Sequence, residues 1–257
     1  MFRYALTIEY HGAPFVGWSR QPNQHSVQGC IEAALEKIDR RTQTIAVAGR
    51  TDAGVHAKGQ VAHCDMLKEW VPTQLMGALN HHLRPNPIAI VDCRAVSLEW
   101  HARFSARQRC YLYRILSRVS PATHDGSLVW QIHHALDLDR MRAAAQYLIG
   151  RHDFTTFRSS VCQSASPIKT IDVINIARVP AWSGTEVHIE VKARSFMHNQ
   201  VRSIVGTLER VGAGRWTPEQ VQQALAQRDR TACGPVSPAK GLHLMSVRYD
   251  LDCFEGT

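Results

Sequence analysis

The stretch AGRTDAGVHAKGQ, residues 48–60, places a single carboxylate among glycines and cations. Asp52 is the only acidic residue between Arg40 and Cys64, and Arg50 stands two positions before it. The neighbouring glycine allows a bend that presents the side chain. An ionised and positioned carboxylate can act as a nucleophile or as a general base. A structural ion pair with an arginine is the alternative, and this stretch alone does not decide between them.

A second segment, HARFSARQRCYLYRILSR at residues 101–118, has the composition of an RNA-contacting surface. It contains five arginines and no acidic residue, with aromatic residues interleaved. Arginine neutralises phosphate and aromatic rings stack on bases. We therefore expect RNA contacts here, with Arg107 and Arg109 on phosphates. An ordinary strand with a solvated basic face is the alternative. The aromatic residues are Phe104, Tyr111 and Tyr113.

A third candidate is Arg202, in the segment KARSFMHNQVR at residues 192–202. The pattern predicts a strand that runs into a helix, with Arg202 beside the apolar stripe of that helix. From there it can reach a carboxylate or a phosphate near the helix N-terminus. The alternative is an arginine at the rim of the surface.

Composition excludes several function classes. The seven cysteines show no C-x-x-C spacing, and the fourteen histidines form no H-E-x-x-H motif, so we expect no disulfide framework and no metal. Phosphate-binding glycine motifs are absent, and we expect no cofactor. The net charge of +8 favours a polyanionic partner. The N-terminus does not resemble a signal peptide and no apolar run could span a membrane, so a cytosolic location is expected.

The order of predicted elements places these residues. Residues 2–10 alternate apolar and polar side chains, which predicts a strand. Ser26 can cap a helix that extends to Ile38. Strand-like segments follow at 44–49 and 60–66, then a helix at 72–83 and a strand at 88–96. This β-α-β-β-α-β order is that of a ferredoxin-like unit.

The second half repeats that order. Strands are predicted at 110–116, 171–179, 186–193 and 241–249, and helices at 138–150 (ending at a glycine), at about 197–211, and after a capping box at Thr217. The sequence predicts an α+β protein made of two ferredoxin-like halves, residues 1–104 and 105–257, around a central mixed or antiparallel sheet.

The residues also resemble a known family. AGRTDAGVHAKGQ is similar to the signature of the tRNA pseudouridine synthase A (TruA) family, and further motifs agree along the chain. They are FVGW at 15–18, SVQG at 26–29, the segment ending at Tyr113, FMHNQVRSIVG at 196–206 and GLHLMSV at 241–247.

The resemblance implies a pseudouridine synthase fold and the isomerisation of uridine to pseudouridine in the tRNA anticodon arm, at positions 38, 39 and 40. It also implies a homodimer that needs no metal and no cofactor. Asp52 matches the nucleophile, in the N-terminal half, and Arg50 an arginine beside it. The C-terminal half would complete the cleft. Further matches are Tyr111, which packs on the target base, Arg202, which pairs with the nucleophile, and Leu244, which lines the pocket.

Three positions depart from the family pattern: Ser19, Cys110 and Gln200. They bear on local RNA contacts more than on the chemistry. The sequence leaves open whether Asp52 attacks C6 of the base or assists at C1′ of the sugar. A non-catalytic RNA-binding protein and a nucleoside glycosidase are the alternatives. The glycosidase needs two carboxylates about 5 Å apart, and residues 48–60 offer one.

Overall fold

The structure is a computed structural model that describes residues 1–160, 162, 164, 166–181 and 184–250. The chain divides into two compact units. The first contains Met1–Arg109 and the chain from Leu244 onward, and the second contains Cys110–His243. Both units combine helices with mainly antiparallel strands, which confirms the α+β class.

The first unit follows the predicted order. Its elements are β1 (Phe2–Tyr10), α1 (Val27–Asp39), β2 (Ala46–Val47), β3 (His56–Met66), α2 (Pro72–Leu83) and β4 (Ile88–Val96). β1 lies between β4 and β3 and is antiparallel to both, and the short β2 pairs with β3. Tyr4, Leu6 and Ile8 of β1 are buried, as the alternating pattern predicts.

The second unit carries two strands that the sequence pattern did not indicate. Its elements are β5 (Gln108–Ser117), β6 (Trp130–Ile132), α3 (Leu138–Gln146), β7 (Gly150–Asp153), β8 (Ile168–Ala181), β9 (Gly184–Ala193), α4 (Gln200–Gly212) and α5 (Pro218–Gln227). The last strand, β10 (Leu242–Arg248), belongs to the first unit from Leu244 onward. The sheet order is β5-β9-β8-β7, and β6 runs parallel to β5. β6 and β7 have three and four residues, too few to show periodicity.

Helix ends are set by local hydrogen bonds. The Ser26 hydroxyl accepts a hydrogen bond from Gly29 N, as expected of the cap of α1. Thr217 and Gln220 form the predicted capping box of α5. The predicted glycine end of α3 differs, since the helix ends at Gln146 and Gly150 begins β7 with φ +102°. A positive φ at Gly150 allows the chain to turn into the strand.

The closing strand also differs from the expected organisation. The segment 241–249 was predicted within the second half, but from Leu244 onward it groups with the first unit, where β10 lies beside β3. Gly59 of β3 permits this approach, because a Cβ there would lie 2.5 Å from Met245 O. The division after Arg109 also falls beyond the predicted boundary near residue 105.

A buried carboxylate contributes to the stability of the second unit. The Glu186 side chain, 1% exposed, accepts hydrogen bonds from Arg114 at 2.8 and 2.7 Å and pairs with His188 at 2.8 Å. Burial alone would raise the pKa of Glu186, but hydrogen bonds from His188 and Arg114 outweigh it and lower that pKa to about 2. The folded state therefore favours the ionised form.

The first prediction concerns this ion pair. Glu186→Gln should lower the free energy of unfolding by about 3 kcal/mol, because it leaves the Arg114 guanidinium without its counter-charge. Since the folded pKa lies below the ordinary value of 4.5, the contribution is complete above that value and is lost as pH falls toward 2. Urea unfolding at several pH values measures both effects. Equal stability of wild type and variant at pH 7 would contradict this role.

Candidate active site

Asp52 lies on a bend that a second segment of the first unit holds in place. Asp52 forms an isolated antiparallel bridge with Gly17. Trp18 N donates to Thr51 O at 3.0 Å, and Val55 N donates to Asp52 O at 3.1 Å, which closes the turn. We call residues 12–18 the strap. Both sides of the bend are thus fixed by backbone hydrogen bonds.

The strap approaches the bend so closely that only glycine fits at two of its positions. A Cβ on Gly17 would lie 2.7 Å from Thr51 O, and the φ of Gly17 is +110°. A Cβ on Gly12 would lie 2.1 Å from Val55 O. Real Cβ atoms do not make contacts this short, and only glycine adopts that φ without strain. The FVGW glycine is therefore a steric requirement of the bend.

Buried polar side chains support the bend from β1 and β3. The hydroxyl oxygens of Tyr10 and Thr51 lie 2.7 Å apart, and Gln60 Nε2 donates to Gly49 O at 2.7 Å. The Tyr10 hydroxyl also bonds the Gln60 side chain. Burial raises the pKa of Tyr10 to about 12, so the phenol stays protonated and keeps its hydrogen bonds. Buried and satisfied networks of this kind fix one geometry.

The strap is itself fastened to the start of α1. Val27 N donates to Gly17 O at 3.2 Å and Gln28 N donates to Trp18 O at 3.0 Å. The Trp18 ring is buried and lies 6.1 Å from the Tyr10 ring, measured between centroids. The first turn of the helix, the strap and the bend therefore form one hydrogen-bonded assembly.

The basic segment divides into a buried and an exposed part. Arg109 is buried, and its Nη2 donates to Ala48 O at 2.6 Å and to Arg103 O at 3.1 Å. Arg107 is exposed and its Nε lies 2.7 Å from an Asp250 carboxylate oxygen. We expected both arginines on phosphates. The placement of Arg109 instead suits a support for Ala48, the first residue of the AGRTDAG stretch.

The other predicted site residues make contacts close to their own helix, strand or loop. Tyr111, 9% exposed, packs on Phe196 with ring centroids 5.2 Å apart. Near the start of α4, Arg202 donates to Ser237 O and to Asn199 Oδ1, both at 2.8 Å. Leu244 is buried in β10 of the first unit. Arg50 is exposed beside the bend.

The part of the chain that the structure describes contains neither a metal-binding cluster nor a membrane-spanning helix. No cluster of three or more His, Cys, Asp or Glu side chains there could hold a metal ion. None of the described helices is long and apolar enough to cross a membrane.

Comparison with known proteins agrees with the motifs at the bend. A sequence model described as tRNA pseudouridine synthase matches residues 6–105 and 144–250. The chain belongs to the tRNA pseudouridine synthase family. It is 62% identical to tRNA pseudouridine synthase A of Ruegeria sp. (strain TM1040), over 97% of this chain and 96% of that protein. Identities are 61% with the protein of that name from Roseobacter denitrificans and 54% with the one from Paracoccus denitrificans, each over 99% of this chain and 98% of the relative.

Two departures from the pattern of the pseudouridine synthase family lie in the interior. Gln200 is buried, and its Oε1 accepts a hydrogen bond from Met197 N at 2.9 Å. Cys110 is also buried, with its thiol 3.5 Å from a Glu190 oxygen. Burial raises the pKa of this thiol to about 11, so it remains uncharged. Both residues serve the packing of the second unit.

The sequence did not single out the residues that hold the bend of this family member. In the sequence, Tyr10 is simply the last inward-facing residue of an alternating strand. Gln60 is the last residue of the AGRTDAGVHAKGQ stretch, and neither position indicates a contact with the bend. Their pairing with Thr51 and Gly49 follows from the β1–β3 register, in which Ile8 is opposite Gln60. The FVGW motif was the available signal for Gly17, since a glycine between bulky residues often marks a close backbone approach.

The second prediction tests the strap. Gly17→Ala should lower the free energy of unfolding by about 2 kcal/mol or more, because the methyl group would collide with Thr51 O in a strained backbone conformation. Gly49→Ala is the matched control, since a Cβ there meets nothing within 4 Å. Urea unfolding of both variants makes the comparison. A Gly17 variant as stable as the Gly49 variant would remove the steric argument.

Proposed function

We propose that the protein isomerises uridine to pseudouridine in the anticodon stem-loop of tRNA, at positions 38, 39 and 40, with Asp52 as the nucleophile. The proposal is supported by family membership and by relatives named tRNA pseudouridine synthase A, at 54–62% identity over nearly the whole chain. The single observation that carries the assignment of Asp52 is its place on a bend that hydrogen bonds fix on both sides.

The chemistry explains why such a fixed carboxylate is useful. The bond between C1′ of the sugar and N1 of the base breaks, the base turns, and a new bond forms between C1′ and C5. C5 loses its proton and N1 gains one, so the reaction is an isomerisation that consumes no second substrate. A carboxylate can add to C6 or assist at C1′, and both roles require it to be held within about 1 Å of the attack geometry.

The other candidates take roles around the target base. Tyr111 packs on the uracil ring and offsets the cost of unstacking, a few kcal/mol. Arg202 pairs with the Asp52 carboxylate, Arg50 contacts the RNA beside it, and Leu244 lines the pocket. Arg107, which is exposed, contacts phosphate. We assign Arg109 a supporting role, because its guanidinium is buried against main-chain oxygens. These roles rest on the resemblance of the motifs.

The proposal extends to the setting of the reaction. The enzyme acts in the cytoplasm on tRNA and forms a homodimer, as the family resemblance implies. Sedimentation of the pure protein measures directly whether it forms a homodimer. The reaction proceeds with no metal and no cofactor, so addition of EDTA leaves turnover unchanged when a polyamine keeps the tRNA folded.

The third prediction is the test of function. Asp52→Asn keeps the shape of the side chain and removes its charge, so pseudouridine should no longer form while folding and tRNA affinity persist. Asp92→Asn is the control, because it makes the same change at a half-buried position of β4, where Asp92 pairs with Arg94 at 2.8 Å. Unmodified tRNA is incubated with each pure protein and its nucleosides are analysed.

Three outcomes separate the possible functions. Pseudouridine with wild type and with Asp92→Asn, but not with Asp52→Asn, supports the proposal. Free uracil with wild type would indicate a glycosidase, and unchanged tRNA a protein that only binds RNA. Turnover by Asp52→Asn above the level of host contamination would contradict the nucleophile assignment.

A further inference from the structure

One large aromatic side chain of the first unit points into solvent from an ordered turn. Phe104 is 70% exposed, although its neighbours Ala102 and Ala106 are fully buried. Water around an exposed phenyl ring is unfavourable, and the mechanism proposed above gives this ring no task. Single exposed apolar side chains are common on protein surfaces, but Phe104 differs in lying in a basic segment with other planar side chains beside it.

The turn that carries Phe104 is closed by hydrogen bonds at both ends. His101 N donates to Ser105 Oγ at 3.0 Å, and Ser105 N donates to His101 O at 2.9 Å. Arg103 N donates to His101 Nδ1 at 3.1 Å. Below the turn, Ala102 N donates to His63 Nδ1 at 3.1 Å, and Ala102 O accepts from Tyr249 Oη at 2.6 Å. The backbone under the exposed ring is thus fixed.

Planar groups surround the ring. The His101 ring lies 4.4 Å from the Phe104 ring between centroids, at an interplanar angle of 39°. The Arg103 guanidinium carbon lies 5.7 Å from the Phe104 centroid, within cation–π range. Burial, with the nearby Arg3 and Arg103 charges, lowers the pKa of His101, so its ring is uncharged at neutral pH. The cluster offers aromatic area with one adjacent positive charge.

The charge of the surface selects among possible partners. Arg103, beside the ring, and Arg107, three residues further along the chain and paired with Asp250, are both exposed, and the chain carries a net charge of +8. Two copies of this surface would repel one another. A polyanion with unstacked aromatic groups, which is single-stranded RNA, matches both the charge and the ring.

We propose that Phe104, together with His101 and Arg103, is a stacking platform for an unpaired tRNA base other than the target uridine. The inference rests on the proposed function only in taking tRNA as the RNA. Arg109 links this turn to the catalytic stretch, because its guanidinium binds both Arg103 O and Ala48 O. A base stacked on Phe104 is therefore held at a fixed position relative to the bend that carries Asp52.

The fourth prediction measures RNA affinity in the Asp52→Asn background, where no turnover changes the ligand. Phe104→Ala should weaken binding of unmodified tRNA by roughly 5- to 150-fold, the effect of removing one base–aromatic stack. The salt dependence of affinity should not change, because phenylalanine contacts no phosphate. Val119→Ala, at a position 80% exposed in the second unit, is the matched control and should bind as before.

A tryptophan variant tests stacking even if Phe104→Ala folds poorly. Phe104→Trp should keep wild-type affinity, and tRNA should quench the added fluorescence, measured as the difference from the parent protein. Equal affinity of Phe104→Ala and parent would overturn the proposal, as would a tryptophan signal that tRNA leaves unchanged. A shift from dimer to monomer in Phe104→Ala without loss of RNA affinity would also overturn it and assign the ring to a second copy. These outcomes do not depend on whether wild type forms pseudouridine.

Discussion

The contact between the backbone of the strap and the backbone of the bend is the constraint on which the rest of the first unit depends. Gly17 can form its backbone bridge with Asp52 because it has no side chain to collide with Thr51 O and because glycine adopts a φ of +110° without strain. The Tyr10 hydroxyl and the Gln60 side chain then fix Thr51 and Gly49, so β1 and β3 must keep their register. The first turn of α1 fixes the other side of the strap. Strand register, helix start and bend are therefore parts of one arrangement around Asp52.

Arginine serves two purposes in this chain, and burial separates them. Arg109 and Arg114 donate to main-chain oxygens and to a carboxylate inside the two units. Arg103 and Arg107 lie at the surface, where counterion release can drive RNA binding. A high net charge therefore overstates the number of arginines available to a nucleic acid. Arg109 stabilises the main chain at Ala48, beside the bend, and Arg114 stabilises the second unit through Glu186.

The sequence predicted most of the first unit because its periodic patterns are long. The alternation of β1, the Ser26 cap and the strand at 88–96 each specify an element without help from tertiary contacts. The short strands β6 and β7 were missed because a few residues show no period. The end of α3 was misplaced because Gly150 looked like a helix terminator, whereas it begins a strand.

The sequence could predict the candidate nucleophile, but not the residues that hold it in place. Asp52 stood out as a lone carboxylate among cations, a local property of the chain. The partnership of Tyr10 with Thr51 joins residues 41 positions apart, and no local pattern encodes it. Arg109 resembled its neighbour Arg107 in sequence, and only tertiary packing distinguishes a buried guanidinium from an exposed one.

Rigid support of the bend is the central claim, and Tyr10→Phe tests it most directly by deleting one hydroxyl. Tyr4→Phe is its control, because Tyr4 is equally buried on β1 but donates to Trp70 O, away from the bend. Hydrogen exchange over residues 48–60 and the single-turnover rate of pseudouridine formation are measured together. The account predicts faster exchange and a rate lower by about ten-fold or more for Tyr10→Phe alone, since small misplacements of a nucleophile are costly. Faster exchange with an unchanged single-turnover rate would contradict it.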